Sequence, residues 1–192
     1  WDELQALLAA SGDRLHRAVH LACAGNVIDF GIGRNFDLTQ EVRAIVDRKL
    51  DRDDYPLFRE HLAGARRILY IGDNAGEIVF DRVLVEELRD REVTFAVKAG
   101  PVINDAMLED ACAVGMDEVA RIITTGSNRI GAPLAHCSPE FSQAFAGADL
   151  IISKGQGNFE TLDEEDAPIF FMLKAKCPLV ARRLGVKLGD LV

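Results

Sequence analysis

Five short apolar runs constrain the fold of this 192-residue chain more than any other feature. They are RRILYIG (66–72), VTFAVKAG (93–100), VARIITTG (119–126), ADLIISKG (148–155) and APIFFMLKA (167–175). Each is rich in Ile, Val and Phe, and its apolar residues run on without alternating. A strand with one solvated face alternates; a strand buried on both faces does not, and that is how strands of a parallel sheet look. Helical patterns separate most of the runs, at 77–89, 105–113 and 139–145. Strand and helix in this order predict an α/β sandwich with right-handed crossovers.

The first third of the chain is different. Residues 1–28 read as two helices divided by SGD at 11–13, followed by an irregular, glycine-punctuated stretch to 37. Residues 38–64 look helical again and heavily charged, with Pro56 near a helix start. The expected division is a helical subdomain at 1–64 and an α/β domain at 65–192. The chain opens on Trp1, without Met, and reads as entering mid-helix, so the helical part is expected to be incomplete. With 48% apolar residues, one full core can be buried. A net charge of −9 repels phosphate backbones, and no basic stripe offsets it, which argues against nucleic-acid partners. No apolar run is long enough to span a membrane and no signal peptide is visible. Cys23, Cys112, Cys137 and Cys177 suit neither a zinc site nor a disulfide framework. They read as buried thiols in a reducing compartment, so the protein is expected in the cytoplasm.

Ligands in open parallel sheets bind beyond the carboxyl ends of the strands. The loops there are GDNAGE (72–77), KAGPVINDA (98–106), TTGSNRIGA (124–132) and SKGQGNFE (153–160). In the first, Gly72 and Gly76 let a backbone approach a ligand, and Asp73 and Asn74 offer hard oxygen donors suited to Mg²⁺ or Mn²⁺. Alone, the same string is also a helix cap, with Glu77 favoured in the first turn by the helix dipole. Asn104 and Asp105 carry the same ambiguity at a second strand end, and two such tips can converge on one cation. Lys154, flanked by glycines, is either a phosphate clamp or a solvated lysine, and Lys98 invites both readings too. Together the loops supply carboxylates, amide donors and a lysine, the equipment for moving or hydrolysing a phosphoryl group. No Walker lysine string or D-x-D nucleophile string is present.

These blocks, with AGNVIDFG (24–31) and FFMLKAKCPLVARRLGV (170–186), resemble the DUF89 or ARMT1-like damage-control phosphatase family, most closely its small prokaryotic branch. The resemblance runs from about residue 24 to the C-terminus. It implies a three-layer α/β/α Rossmann-like sandwich with an N-terminal helical subdomain, and a phosphatase dependent on a divalent metal (Mg, Mn, Co or Ni). It carries metal ligands onto Asp73, Asn74 and Asp105 and a phosphate-binding lysine onto Lys154. Gly76, Asn104 and Asn158 fall in matching motifs as phosphate or substrate contacts. Glu77 matches an acid beside the metal, as base, outer-shell ligand or first-turn acid. Asn26 and Asp29 either line the pocket or tie the helical part to the sheet. The cysteine-bearing opening segment usual in that branch is missing.

The leading expectation is a phosphatase acting on small phosphorylated metabolites such as sugar phosphates, through a metal-activated water. The alternatives are an S-adenosylmethionine-dependent carboxyl methyltransferase and a non-catalytic binder of phosphorylated metabolites. Ser127 is expected as a substrate hydrogen-bond donor or a turn residue. His16 and His20, one turn apart, form a pair without an acidic motif and read as surface or packing residues. Met107, Met116 and Met172 read as core filler, and 47–55 as a solvated helix face and turn. Oligomeric state, native metal and substrate are left open by the sequence.

Overall fold

A computed structural model describes residues 1–26 and 50–192. Asp29 lies outside the described residues, as do the stretch 27–37 and most of the expected helix preceding residue 50. Five strands form one fully parallel sheet: β1 (Arg67–Ile71), β2 (Glu92–Val97), β3 (Arg121–Thr124), β4 (Leu150–Lys154) and β5 (Ile169–Met172). Their order across the sheet is β3-β2-β1-β4-β5. The order reverses between β1 and β4, and at such a switch point the following connections diverge to opposite faces and leave a crevice at the strand ends.

Unbroken apolar runs became strands because both faces are covered. Ile68 and Tyr70 of β1 enter one hydrophobic cluster, while Leu69 and Ile71 enter another. The first cluster lies under α1 (Asp2–Ala9), α2 (Arg14–Gly25), α3 (Tyr55–Gly64) and α4 (Ile78–Glu87). The second lies under α6 (Pro139–Gly147), with Phe141 and Phe145, and α7 (Gln156–Leu162), with Leu162. Two short helices, α5 (Leu108–Ala113) and α8 (Pro178–Leu184), complete the described α-helices, and single 3-10 turns form at Met116–Glu118 and Leu134–His136. The result is the expected three-layer α/β/α sandwich. Leu8 of α1 and Ala18, Leu21 and Ala22 of α2 belong to the same cluster as the sheet residues, so the helical part and the sheet share one core.

Three expectations change. The charged stretch at 50–54 is not helical; it is a run of bends in which Asp51 and Arg52 donate backbone N–H groups to the Leu191 carbonyl at 2.9 and 3.2 Å. Residues 156–160 are not loop: α7 begins one residue after Lys154's neighbour Gly155 and contains the glycine-flanked Gln156. The cysteines are not uniformly buried, since Cys23 is buried, Cys137 and Cys177 are half-buried and Cys112 is exposed. Met116 and Met172 are core residues as expected, and Met107 is half-buried. Among the described residues no helix is long and apolar enough to cross a membrane.

Candidate active site

The site grows from the tips of β1, β2 and β4. After β1 the chain does not cap α4 with Asp73 or Asn74. The N-cap position is Glu77, and its side chain makes no capping bond. Instead the β1 and β2 tips zip together: Asn74 and Asp105 form an isolated antiparallel bridge, Ala75 N–H donates to the Asn104 carbonyl at 2.9 Å, and Ala106 N–H donates to the Asp73 carbonyl at 2.7 Å. This brings Asp73, Asn74 and Asp105 to one edge. Asn104 itself is exposed, as is Gly76, at the start of α4. Asp105 does not cap α5 either; Asp110 accepts from Met107 N–H there.

Glu77 is the hub. It is 2% exposed. Its carboxylate accepts from Asn74 Nδ2, from Asn26 Nδ2 at 3.1 and 3.2 Å, and from Lys154 Nζ at 3.1 Å. Asn26 Nδ2 also lies 3.3 Å from Asp73 Oδ2, while its Oδ1 accepts from Lys174 N–H at 3.0 Å. Gly25 eases this approach: a Cβ there would lie 3.0 Å from the Glu77 Cβ and 3.2 Å from the Phe80 ring, so a side chain would make Glu77 and Phe80 give by a few tenths of an ångström. Asn26 therefore both lines the site and ties the helical part to the sheet.

Lys154 is fully buried. Besides Glu77 its ammonium donates to Asp81 Oδ1 at 2.5 Å, and Tyr70 OH donates to the same oxygen at 2.7 Å. Burial alone would lower the Lys154 pKa, but the Asp81 and Glu77 charges outweigh it and the net direction is up. Burial pushes Asp81 up to about 6 against the pull of Lys154. A buried ammonium is tolerated only when paired in this way. Lys98, also buried, donates to the Gly131 carbonyl and stands 3.4 Å from Asp105 Oδ2. Asn158 donates to the Gly72 and Lys154 carbonyls at 3.1 and 2.8 Å, locking the β1 and β4 tips to each other. Ser127 acts within its own turn, accepting from Arg129 N–H at 3.2 Å.

The electrostatics carry an imbalance. Among the described residues, the close ion pairs of Asp73, Glu77, Asp81 and Asp105 are those with Lys98 and Lys154, and Lys176 adds the smallest of the pulls on Asp73. Fully ionised, the four acids exceed the two lysines by two negative charges, the charge of one divalent cation. Burial first, then the Glu77 and Asp105 charges, push Asp73 up to about 7, and burial also raises Asp105. An oxygen-only set of Asp73, Asn74 and Asp105 fits a hard divalent ion. Sequence reasoning missed Asp81 and Tyr70. The signal was available: Asp81 is four residues after Glu77, on the same helix face, amid apolar neighbours. Ile103 adds backbone strain beside Asn104: it is β-branched, 85% exposed, and has φ of 50°.

Comparison with known proteins places this geometry in context. The family model described as the damage-control phosphatase ARMT1-like domain matches residues 2–192. A damage-control phosphatase of Pyrococcus horikoshii is 50% identical over 180 residues, covering 91% of this chain and 63% of the relative. A protein of Methanocaldococcus jannaschii without an assigned activity is 47% identical, covering 93% of this chain and 62% of the relative. A damage-control phosphatase of Archaeoglobus fulgidus is 35% identical, covering 97% and 67%. The crystal structure of a DUF89 family protein from Pyrococcus horikoshii superposes with a TM-score of 0.91 at 46% identity, covering 99% of this chain and 68% of that one. The chain thus spans less than two thirds of the length of the first two relatives.

Proposed function

Because the chain belongs to the damage-control phosphatase ARMT1-like family, we propose that it is a divalent-metal-dependent phosphatase acting on small phosphorylated metabolites. The observation that carries this reading is the excess of two negative charges among the described residues at the switch point, where Asp73, Glu77, Asp81 and Asp105 pair closely with Lys98 and Lys154. Asp73, Asn74 and Asp105 would hold the ion. When bound, such a cation neutralises phosphoryl oxygens and acidifies a water that attacks phosphorus. The protein's own groups do the rest. The exposed backbone at Gly76 leaves the start of α4 open to phosphate, where amide N–H groups and the helix dipole favour an anion. Asn104 borders the same mouth. Glu77, fixed by Asn26, Asn74 and Lys154, is placed to orient the attacking water or accept its proton. Lys154 spends two donors on Glu77 and Asp81, so direct contact with phosphate requires its third. Four cysteines without a disulfide are consistent with a reducing cytoplasm.

The test is phosphate release from p-nitrophenyl phosphate and a panel of sugar phosphates, with Mg²⁺, Mn²⁺, Co²⁺ or Ni²⁺ and with chelator. Expected is turnover that chelator abolishes and Asp73→Ala removes. Activity indifferent to both would sink the proposal. Binding of S-adenosylmethionine with no phosphate release would favour methyl transfer instead.

A further inference from the structure

Metal-capable side chains also gather away from the strand tips. His16 and His20 stand one turn apart on α2, with ring centroids 4.5 Å apart. Asp53, distant in sequence, lies in the bends before α3. One ligand atom from each residue lies within 4.8 Å of those of the other two. The sequence reading of the two histidines as a pair lacking an acid is therefore incomplete, because the fold supplies the acid.

We propose that His16, His20 and Asp53 form a second metal site, for a borderline transition-metal dication of the Zn²⁺, Co²⁺ or Ni²⁺ class. Two imidazoles and one carboxylate select such ions over Mg²⁺, which prefers oxygen donors alone. The strand-tip set, all oxygen, has the opposite preference. Zn–N bonds of about 2.0–2.1 Å put tetrahedral ligands about 3.3 Å apart. The three ligand atoms therefore have to draw in from their present spacing of up to 4.8 Å when an ion binds.

The surroundings hold His16 and Asp53 in place. Asp13 caps α2 by accepting from His16 N–H at 3.0 Å. Tyr55 OH donates to both Asp13 oxygens at 3.0 and 3.1 Å, and Tyr55 N–H donates to Asp53 Oδ1 at 3.0 Å. The Tyr55 ring lies 4.4 Å from that of His16. Asp13 and Tyr55 thus join the two elements that bear the ligands. Nearby guanidiniums are occupied: Arg59 lies 3.7 Å from Asp13 and Arg52 2.9 Å from Asp54. A bound ion would cross-link α2 to the 50–54 bends. Through α2 it would steady Asn26, which touches Asp73 and Glu77.

The experiment is Zn²⁺ competition against a chromophoric chelator, on the metal-stripped full chain in excess Mg²⁺, with Co²⁺ absorption as a second readout. The proteins are wild type, H16Q/H20Q, D53N and D73N. Expected is one Zn²⁺ in wild type and D73N that Mg²⁺ does not displace, with affinity lower by more than about 10-fold in H16Q/H20Q and D53N. The exposed D53N change keeps the test valid if the histidine variant misfolds. Zn²⁺ affinity unchanged in D53N, or lost in D73N but kept in H16Q/H20Q, overturns the proposal. Neither outcome bears on phosphatase turnover with Mg²⁺.

Discussion

Gly155→Ala is the sharpest test of how the site is held. Gly155 has φ of 80° and ψ of 159°, a region that side chains rarely enter. An alanine Cβ there would lie 2.0 Å from Asp73 Oδ2 and 2.2 Å from its Cγ, where ordinary contact begins near 3.4 Å. The carboxylate must therefore retreat by about 1.4 Å, away from the position that Asn26 and Asn74 secure. Backbone strain of this kind costs about 1–3 kcal/mol. At about 2–4 °C per kcal/mol for a chain of this size, the melting temperature falls by roughly 2–12 °C. A misplacement of about 1 Å costs on the order of 100-fold in rate. Gly185→Ala is the control. Gly185 also has positive φ, at 71°, but nothing lies within 4 Å of its added Cβ. It should lose stability yet keep metal affinity and turnover. Calorimetric Mn²⁺ titration, thermal melts and p-nitrophenyl phosphate kinetics on both variants decide the matter. Mn²⁺ affinity and kcat/KM for Gly155→Ala within threefold of wild type would refute the account of how Asp73 is positioned.

Other outcomes are equally checkable. Metal at 100 times its Kd should stabilise the fold by about 2.7 kcal/mol, lost on chelation and absent in Asp73→Ala, as read by thermal melts. Asp81 has a folded pKa of about 6 against 3.8 for an unperturbed carboxyl, so the folded state binds extra protons between those values. Its contribution to stability falls as pH rises from about 4 to 6 and is flat above. The wild-type minus Asp81→Asn difference in chemical denaturation should carry that slope, on the order of 3 kcal/mol in total. Alkylation followed by mass spectrometry should label exposed Cys112 readily at pH 8. Burial pushes Cys23 up to about 12 and leaves it unlabelled until the protein unfolds. Ile103→Gly should raise stability by about 1 kcal/mol in a denaturant melt by relieving the positive φ.

The sheet was legible because burial on both faces writes itself into sequence as unbroken apolar runs; four of the runs contain the strand found, and β2 begins one residue before its run, at Glu92. Helix α7 was not, since glycines on both sides of Gln156 imitate a loop; only one of them, Gly155, has the positive φ that starts the helix. Asp73, Asn74 and Asp105 were readable as polar strand tips, but the backbone zipper that joins them depends on the strand order. Asp81 escaped notice because a lone aspartate in a helix usually faces water, and only the fold shows Lys154 waiting beneath it. The pairing of His16 and His20 with Asp53 was invisible for the same reason: the partners are far apart in sequence, and no local pattern links them.

The two ends of Asn26 have a kinetic meaning. Its amide nitrogen binds residues near the first strand, and its oxygen takes the backbone of Lys174, which follows the last. Closing such distant contacts is slow, and a nascent chain cannot close them before Lys174 has been synthesised. Until then Asn26 holds Asp73 and Glu77 without its own anchor on Lys174. Any metal that binds earlier meets an unfinished site, so competence should appear in one late step rather than grow with the length of chain made.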